Sequence, residues 1–458
     1  MENINISEEK RRQTVLSYIS ILIANYVTYS GRERNQYYGE VIENLVGHNF
    51  SEIYQYFNTN KEKLKLKQKP KMSETILNYF QLALDMKIEL EGIFLQNFCK
   101  SEKDLKNVIT KGTNVYKVYD KSYNHNYWIF EGSDVGEFSG ANVDSICDVI
   151  EINGEIKQEA NGITKQNLEA DLAKKFINRQ HQSDKTDDRS VEKVIYVGYS
   201  KGANKATQCY LYDAAQVNET KKFNNQKFNA DEFIEKHELI LVNGLPLSNG
   251  TKIFFKDLLG KDNFDKLANK DSKNILNINN ENDFVSPMNK EPYGKIIYFA
   301  SKGVSHGHSL RDIALDEFVK SGKTGKPAWK YRLYSYFYDY LDVYIKSDRK
   351  IAYKMIKALF MFGEKTKFHC EKNVKDEPIE VQKWDVFVAI CVCVRFFICA
   401  AFWATFAKPK TDMPKIVSVV PEVSKNNSKI NSIQSYDSNS KHESPSQSTL
   451  DSIQEIDK

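Results

Sequence analysis

Residues 191–206 read VEKVIYVGYSKGANKA. The run Val194–Val197 is β-branched or aromatic throughout, Gly198-Tyr199-Ser200-Lys201-Gly202 follows, and the next stretch, ANKATQCYLYDAA, suits a helix. How this stretch is read decides the fold. If a strand ends on Ser200 and a helix starts just after it, this is one βα step of a sheet with Ser200 at the strand end. The alternative is a serine in a glycine-flanked loop. A chain of this composition meets G-x-S-x-G by accident on the order of once in ten times, so the surroundings must decide.

Working outward, short β-rich runs alternate with helical stretches from about residue 113. They are NVYKVYD, NYWIFEGSD, ICDVIEI, a helix over 164–178, VIYVGYS, a helix over 202–217, ELILVNG, NILNINN and KIIYFAS. This alternation predicts an α/β fold with a mostly parallel sheet covered on both faces. Residues 13–48 and 72–110 carry helical periodicity, and after residue 310 the chain turns helical again. There WKYRLYSYFYDYLDVYI is so aromatic that it packs either on the core or on another apolar surface. The expected organisation is an N-terminal helical region over 1–112, a catalytic domain over 113–320, a helical extension over 321–385, a membrane helix over 386–407, and a polar tail over 408–458 with little to bury.

A serine hydroxyl is a weak nucleophile. It needs a base in hydrogen-bond reach, a group to orient that base, and donors for the oxyanion. In the α/β-hydrolase arrangement glycines two residues either side of the serine let the strand-to-helix turn close, and the triad runs Ser, acid, His. Gly198 and Gly202 are so placed. Asp283, in NILNINNENDFVSPM, falls just past a strand-like run, although an asparagine-rich turn would also account for it. His306 and His308 follow KIIYFAS in the loop KGVSHGHSLRD, as a base or as a pair of exposed polar residues. His308 is the favoured base and His306 the fallback. For the oxyanion, the backbone N–H of Lys201 directly follows the nucleophile. Ser133 in WIFEGSD offers a backbone N–H and a hydroxyl, unless it is an ordinary Gly-Ser turn residue.

WIFEGSD followed by ANVDS resembles the first block of the class 3 lipases and their bacterial relatives. GYSKGANKA resembles that family's nucleophile elbow, and LILVNGLP, NENDFVS and HGHSL resemble later blocks in order. The resemblance spans about residues 113–315, and the HSL match is the reason for preferring His308. Tyr199 stands where the family commonly has His, Ala203 for a glycine, Glu131 for Arg and Ser133 for Thr. None of these removes a catalytic group, while Glu131 reverses a charge and leaves substrate charge preference open. The resemblance implies a Ser200–His308–Asp283 hydrolase of acyl esters in glycerolipids or phospholipids, without metal or cofactor.

The remaining features concern setting. VFVAICVCVRFFICAAFWATFA, residues 386–407, is 22 residues long and would cross a bilayer. Its eleven Val, Ile and Phe residues contribute roughly −5 kcal/mol to insertion against about +3 for the central Arg395, so spanning is favoured over a buried core helix. KEKLKLKQKPK, with six lysines from Lys61 to Lys71, is a solvated loop or a contact for anionic lipid. Lysines flank the apolar stretch on both sides, so its orientation is open. The N-terminus shows no signal peptide. A net charge of +4 on 126 charged side chains points to no nucleic-acid partner. Seven cysteines without metal-type spacing read as reduced thiols. Two settings fit: a protein anchored in the cell that makes it, or an exported effector. The Lys/Asn-rich composition and the resembled branch suggest a bacterium. The competing functions are a catalytically silent, membrane-tethered interaction protein and a thioesterase or small-ester hydrolase.

Overall fold

A computed structural model of the chain describes residues 2–3, 7–28, 45–60, 70–96, 115–132, 150–152, 155–157, 191–269, 271–288 and 293–299, with scattered residues between 170 and 178 and between 308 and 338. The expectations for Ser133, His306, residues 386–407 and the tail fall outside these. None of the described helices is long and apolar enough to cross a membrane.

Seven strands form one sheet: β1 Ile93–Gln96, β2 Val115–Asp120, β3 His125–Phe130, β4 Lys193–Tyr199, β5 His237–Val242, β6 Ile275–Asn280 and β7 Lys295–Phe299. They lie side by side in chain order. β1, β2 and β3 pair antiparallel, and β3 through β7 are all parallel. Parallel neighbours need a crossover, which helices supply from β4 to β5 and from β5 to β6, while a single 3-10 turn, Ser286–Met288, is described between β6 and β7. The fold is therefore α/β, with a mixed, mostly parallel sheet.

Two expectations are corrected. Helical periodicity over 72–110 does not give one helix: the helix stops at Asp85, and Ile93–Gln96 is the edge strand β1. Of ICDVIEI, the described residues Ile150–Ile152 are extended and pair with Glu155–Lys157 in a two-stranded ribbon, not with the seven-stranded sheet.

Alternation along each strand divides the core in two. Tyr127, Ile129, Ile195, Val197, Ile240, Val242 and Ile278 face one way, against α1 (Glu8–Thr28), α2 (Phe50–Thr59) and α3 (Pro70–Asp85). Trp128, Phe130, Tyr196, Leu239, Leu241 and Ile275 face the other way. They meet α4 (Lys201–Phe223), α5 (Ala230–Lys236), α6 (Asn249–Leu259) and α7 (Lys261–Leu267). Ala173 and Ile177, from the helical residues within 170–178, join this second face. The N-terminal helices thus form one of the two covering layers of the sheet. α1 is fastened along one end of the sheet, where β2 ends and β4 and β5 begin. Arg12 forks onto the buried Asp120 at 2.9 and 3.0 Å, and Lys193 bridges Glu9 and Glu238 at 2.8 and 3.2 Å. This ionic edge lies at the opposite end of the sheet from Ser200.

Candidate active site

β4 ends at Tyr199 and α4 starts at Lys201, so Ser200 alone makes the turn, at φ 54° and ψ −125°. A non-glycine residue held there costs on the order of 1–3 kcal/mol and persists only where its surroundings fix it. Three backbone bonds do so: Ser200 N–H to Val242 O (3.1 Å), Leu245 N–H to Ser200 O (3.0 Å) and Ala203 N–H to Ser200 O (3.1 Å). The two glycines are steric necessities. A Cβ on Gly198 would lie 2.4 Å from the Gly202 carbonyl oxygen, and one on Gly202 would lie 2.3 Å from those of Phe130 and Glu131.

Serine is a favoured helix N-cap, yet the Ser200 hydroxyl caps nothing. Instead Oγ lies 2.9 Å from His308 Nε2. The other ring nitrogen, Nδ1, lies 2.8 Å from Asp283 Oδ1. Since Asp283 only accepts, Nδ1–H donates to it, and Nε2 is left to receive the Ser200 proton. Asp283 is fully buried and its carboxylate also accepts from Val285 N–H (3.2 Å) and Ser286 N–H (2.8 Å). These bonds hold its two oxygens in place. Ser200 is 2 % exposed and the His308 side chain 13 %. The three residues follow β4, β6 and β7, all at the same end of parallel strands, which is why residues 108 apart in sequence meet.

Lys201 opens the 23-residue helix α4, so its backbone N–H belongs to the first turn, where the helix offers donors and the positive end of its dipole. Glu131 and Gly132 follow β3 beside the elbow; Glu131 is buried, and its carbonyl abuts Gly202. Among the described residues no group of three or more His, Cys, Asp or Glu side chains is placed to hold a metal ion.

Sequence reasoning missed the residues around His308. The Tyr199 ring stacks on the imidazole, centroids 5.2 Å apart and 24° from parallel, and its hydroxyl donates to the His308 carbonyl at 2.6 Å. Asn243 Nδ2 donates to the same carbonyl at 3.2 Å. Phe284 packs on the imidazole at 5.3 Å. The one signal available was Asn-Gly directly after ELILV, which suits the positive φ of 43° found at Asn243. Described residues of the aromatic segment near residue 330 pack beside the site. Tyr331 meets Tyr298 of β7 edge-on at 5.2 Å, and Tyr334 meets Phe284 at 6.1 Å. Burial first, and the Asp283 carboxylate second, push the Tyr338 phenol far up, so Asp283 faces a neutral ring there. Compared with known proteins, the chain matches no family model and no curated relative.

Proposed function

We propose that this chain is a serine acyl-ester hydrolase of the α/β-hydrolase fold, acting on lipid esters at a membrane. The observation that carries the reading is the continuous chain of hydrogen bonds from Ser200 through His308 to Asp283, with the serine on a strained strand-to-helix turn. A glycine turn of no chemical purpose has no need of positive φ at a serine, nor of an imidazole 2.9 Å from its hydroxyl.

In this reading Ser200 Oγ attacks the ester carbonyl as its proton passes to His308 Nε2, and Asp283 holds the imidazolium that forms. Lys201 N–H and the Ser133 group stabilise the tetrahedral oxyanion. The oxyanion collapses, the alkoxide leaves with the proton from His308, and Ser200 keeps the acyl group. A water activated by the same imidazole then releases the carboxylic acid. The lipid substrate rests on the motif resemblance and on the apolar stretch 386–407, which would raise the local concentration of a bilayer-borne ester.

The test is hydrolysis of phospholipid vesicles and of p-nitrophenyl butyrate by the full chain beside Ser200→Ala. The variant is expected to lose on the order of 10⁴-fold or more in kcat on both. Turnover of vesicles well above that of the soluble ester supports lipid as the target; the reverse preference returns the thioesterase or small-ester reading. Equal inertness of both proteins sinks the proposal in favour of a silent scaffold.

A further inference from the structure

Resting on that reading, we propose that Tyr199 and Asn243 are positioning residues that hold the catalytic base through its main chain. Asp283 orients the imidazole through Nδ1, but contacts at the ring alone leave the main-chain end of the residue able to shift. A second constraint on the backbone of residue 308 removes that freedom. Two donors converge on the His308 carbonyl oxygen: the Tyr199 hydroxyl at 2.6 Å and Asn243 Nδ2 at 3.2 Å. A carbonyl oxygen has two lone pairs, so both can be accommodated at once.

Each donor is itself built into the sheet. Tyr199 is the last residue of β4, is 4 % exposed, and precedes the nucleophile. Its ring has no room to swing away on the Gly132 side, where even a Cβ would come within 2.7 Å of it. The ring therefore sits between Gly132 and the imidazole, so that one side chain supplies both a face for the base and a donor to its backbone. Asn243 follows β5, and its Oδ1 accepts from Asn280 N–H at 2.7 Å, which fixes the amide so that Nδ2 points at His308. Four successive parallel strands thus end in Ser200 with Tyr199, in Asn243, in Asp283 and in His308. The base is registered to its nucleophile through β4 and β5 as well as through its acid. A displacement of about 1 Å in such a base can cost on the order of 10²-fold in rate, so a clamp of this kind acts on catalysis and not on binding.

The experiment uses the full-length protein with Tyr199→Phe, which keeps the stacked ring and deletes only the donor, and Asn243→Asp, which keeps the Oδ1 acceptor and deletes the other donor. Steady-state hydrolysis of p-nitrophenyl butyrate is read together with the rate at which a fluorophosphonate labels Ser200 and with the thermal midpoint. The expected result for Tyr199→Phe is a five- to twenty-fold fall in kcat and a matching fall in labelling rate. KM should stay within twofold and the thermal midpoint should be close to the parent. Asn243→Asp behaves likewise, and the double variant departs by at least threefold from the product of the two single losses, because both act on one acceptor. If Asn243→Asp fails to fold, Tyr199→Phe alone decides. Labelling and kcat unchanged in Tyr199→Phe, with wild type labelled, overturn the clamp and leave the proposed function standing. Wild type that takes no label at Ser200 overturns the proposed function, and the clamp with it.

Discussion

A single methyl group tests the elbow at the residue scale. Alanine is favoured over glycine inside a helix by about 1 kcal/mol, so helix propensity alone would make Gly202→Ala stabilising. The added Cβ would sit 2.3 Å from the carbonyl oxygens of Phe130 and Glu131 at the end of β3, which are backbone and cannot rotate away. The clash decides the sign, and Gly202→Ala should lose about 2–4 kcal/mol in a urea titration. Asp283→Asn would keep the shape of the acid but favour the wrong imidazole tautomer, with an expected loss of on the order of 10⁴-fold in kcat and little change in KM. The meeting of Ser200, His308 and Asp283 was legible in the sequence because each follows a recognisable strand, in the order that the proposed elbow serine would need. Tyr199 and Asn243 were not, because their partner is a main-chain carbonyl, and any residue at 308 would have offered one.

At the scale of elements, the N-terminal helices are a layer of the core rather than an appendage. α1 covers β3 and β4, and its Arg12 is the fork on Asp120, a carboxylate with no exposed surface. Removing one partner of such a pair strands the other in the interior, at a cost of about 3–5 kcal/mol. Arg12→Ala should lower stability by that amount, and Asp120→Asn by less, since an amide still accepts from Ser122 N–H. If Arg12→Ala left the urea midpoint unchanged, α1 would be a loosely attached layer after all. The parallel strands were read correctly because VIYV, LILV and IIYF are apolar on both faces, as strands covered on both sides must be. β1 was missed for the opposite reason. Four residues, IFLQ, are too few to show a period of two, and they continue the apolar spacing of the helix before them.

At the scale of the whole molecule, acid weakens the fold through imidazoles that are wholly or partly withdrawn from water, His125 and His237. Burial holds His237 down to about 4, with Lys174 and Lys236 adding to it against the Phe233 carbonyl. The ordinary value is about 6.5, so below that pH the unfolded chain binds a proton that the folded chain refuses, and stability falls as pH drops from about 6.5 toward 4. His125, lowered first by burial and then by Lys193, acts in the same direction. Unfolding free energies from urea titrations at pH 7.0 and 4.5 should differ by about 2 kcal/mol more in the parent than in His237→Gln, and equal differences would contradict the desolvation of that ring. The central claim concerns the three side chains brought together at the strand ends, and covalent labelling addresses it most directly. The full chain is treated with a fluorophosphonate, whose phosphorus bonds to Oγ as fluoride leaves and the hydroxyl proton passes to the imidazole. Peptide mass spectrometry then locates the adduct. The expected result is one adduct, on Ser200, absent in Ser200→Ala and slowed at least 10²-fold in His308→Ala. No adduct, or one that forms at the same rate without His308, would contradict the account.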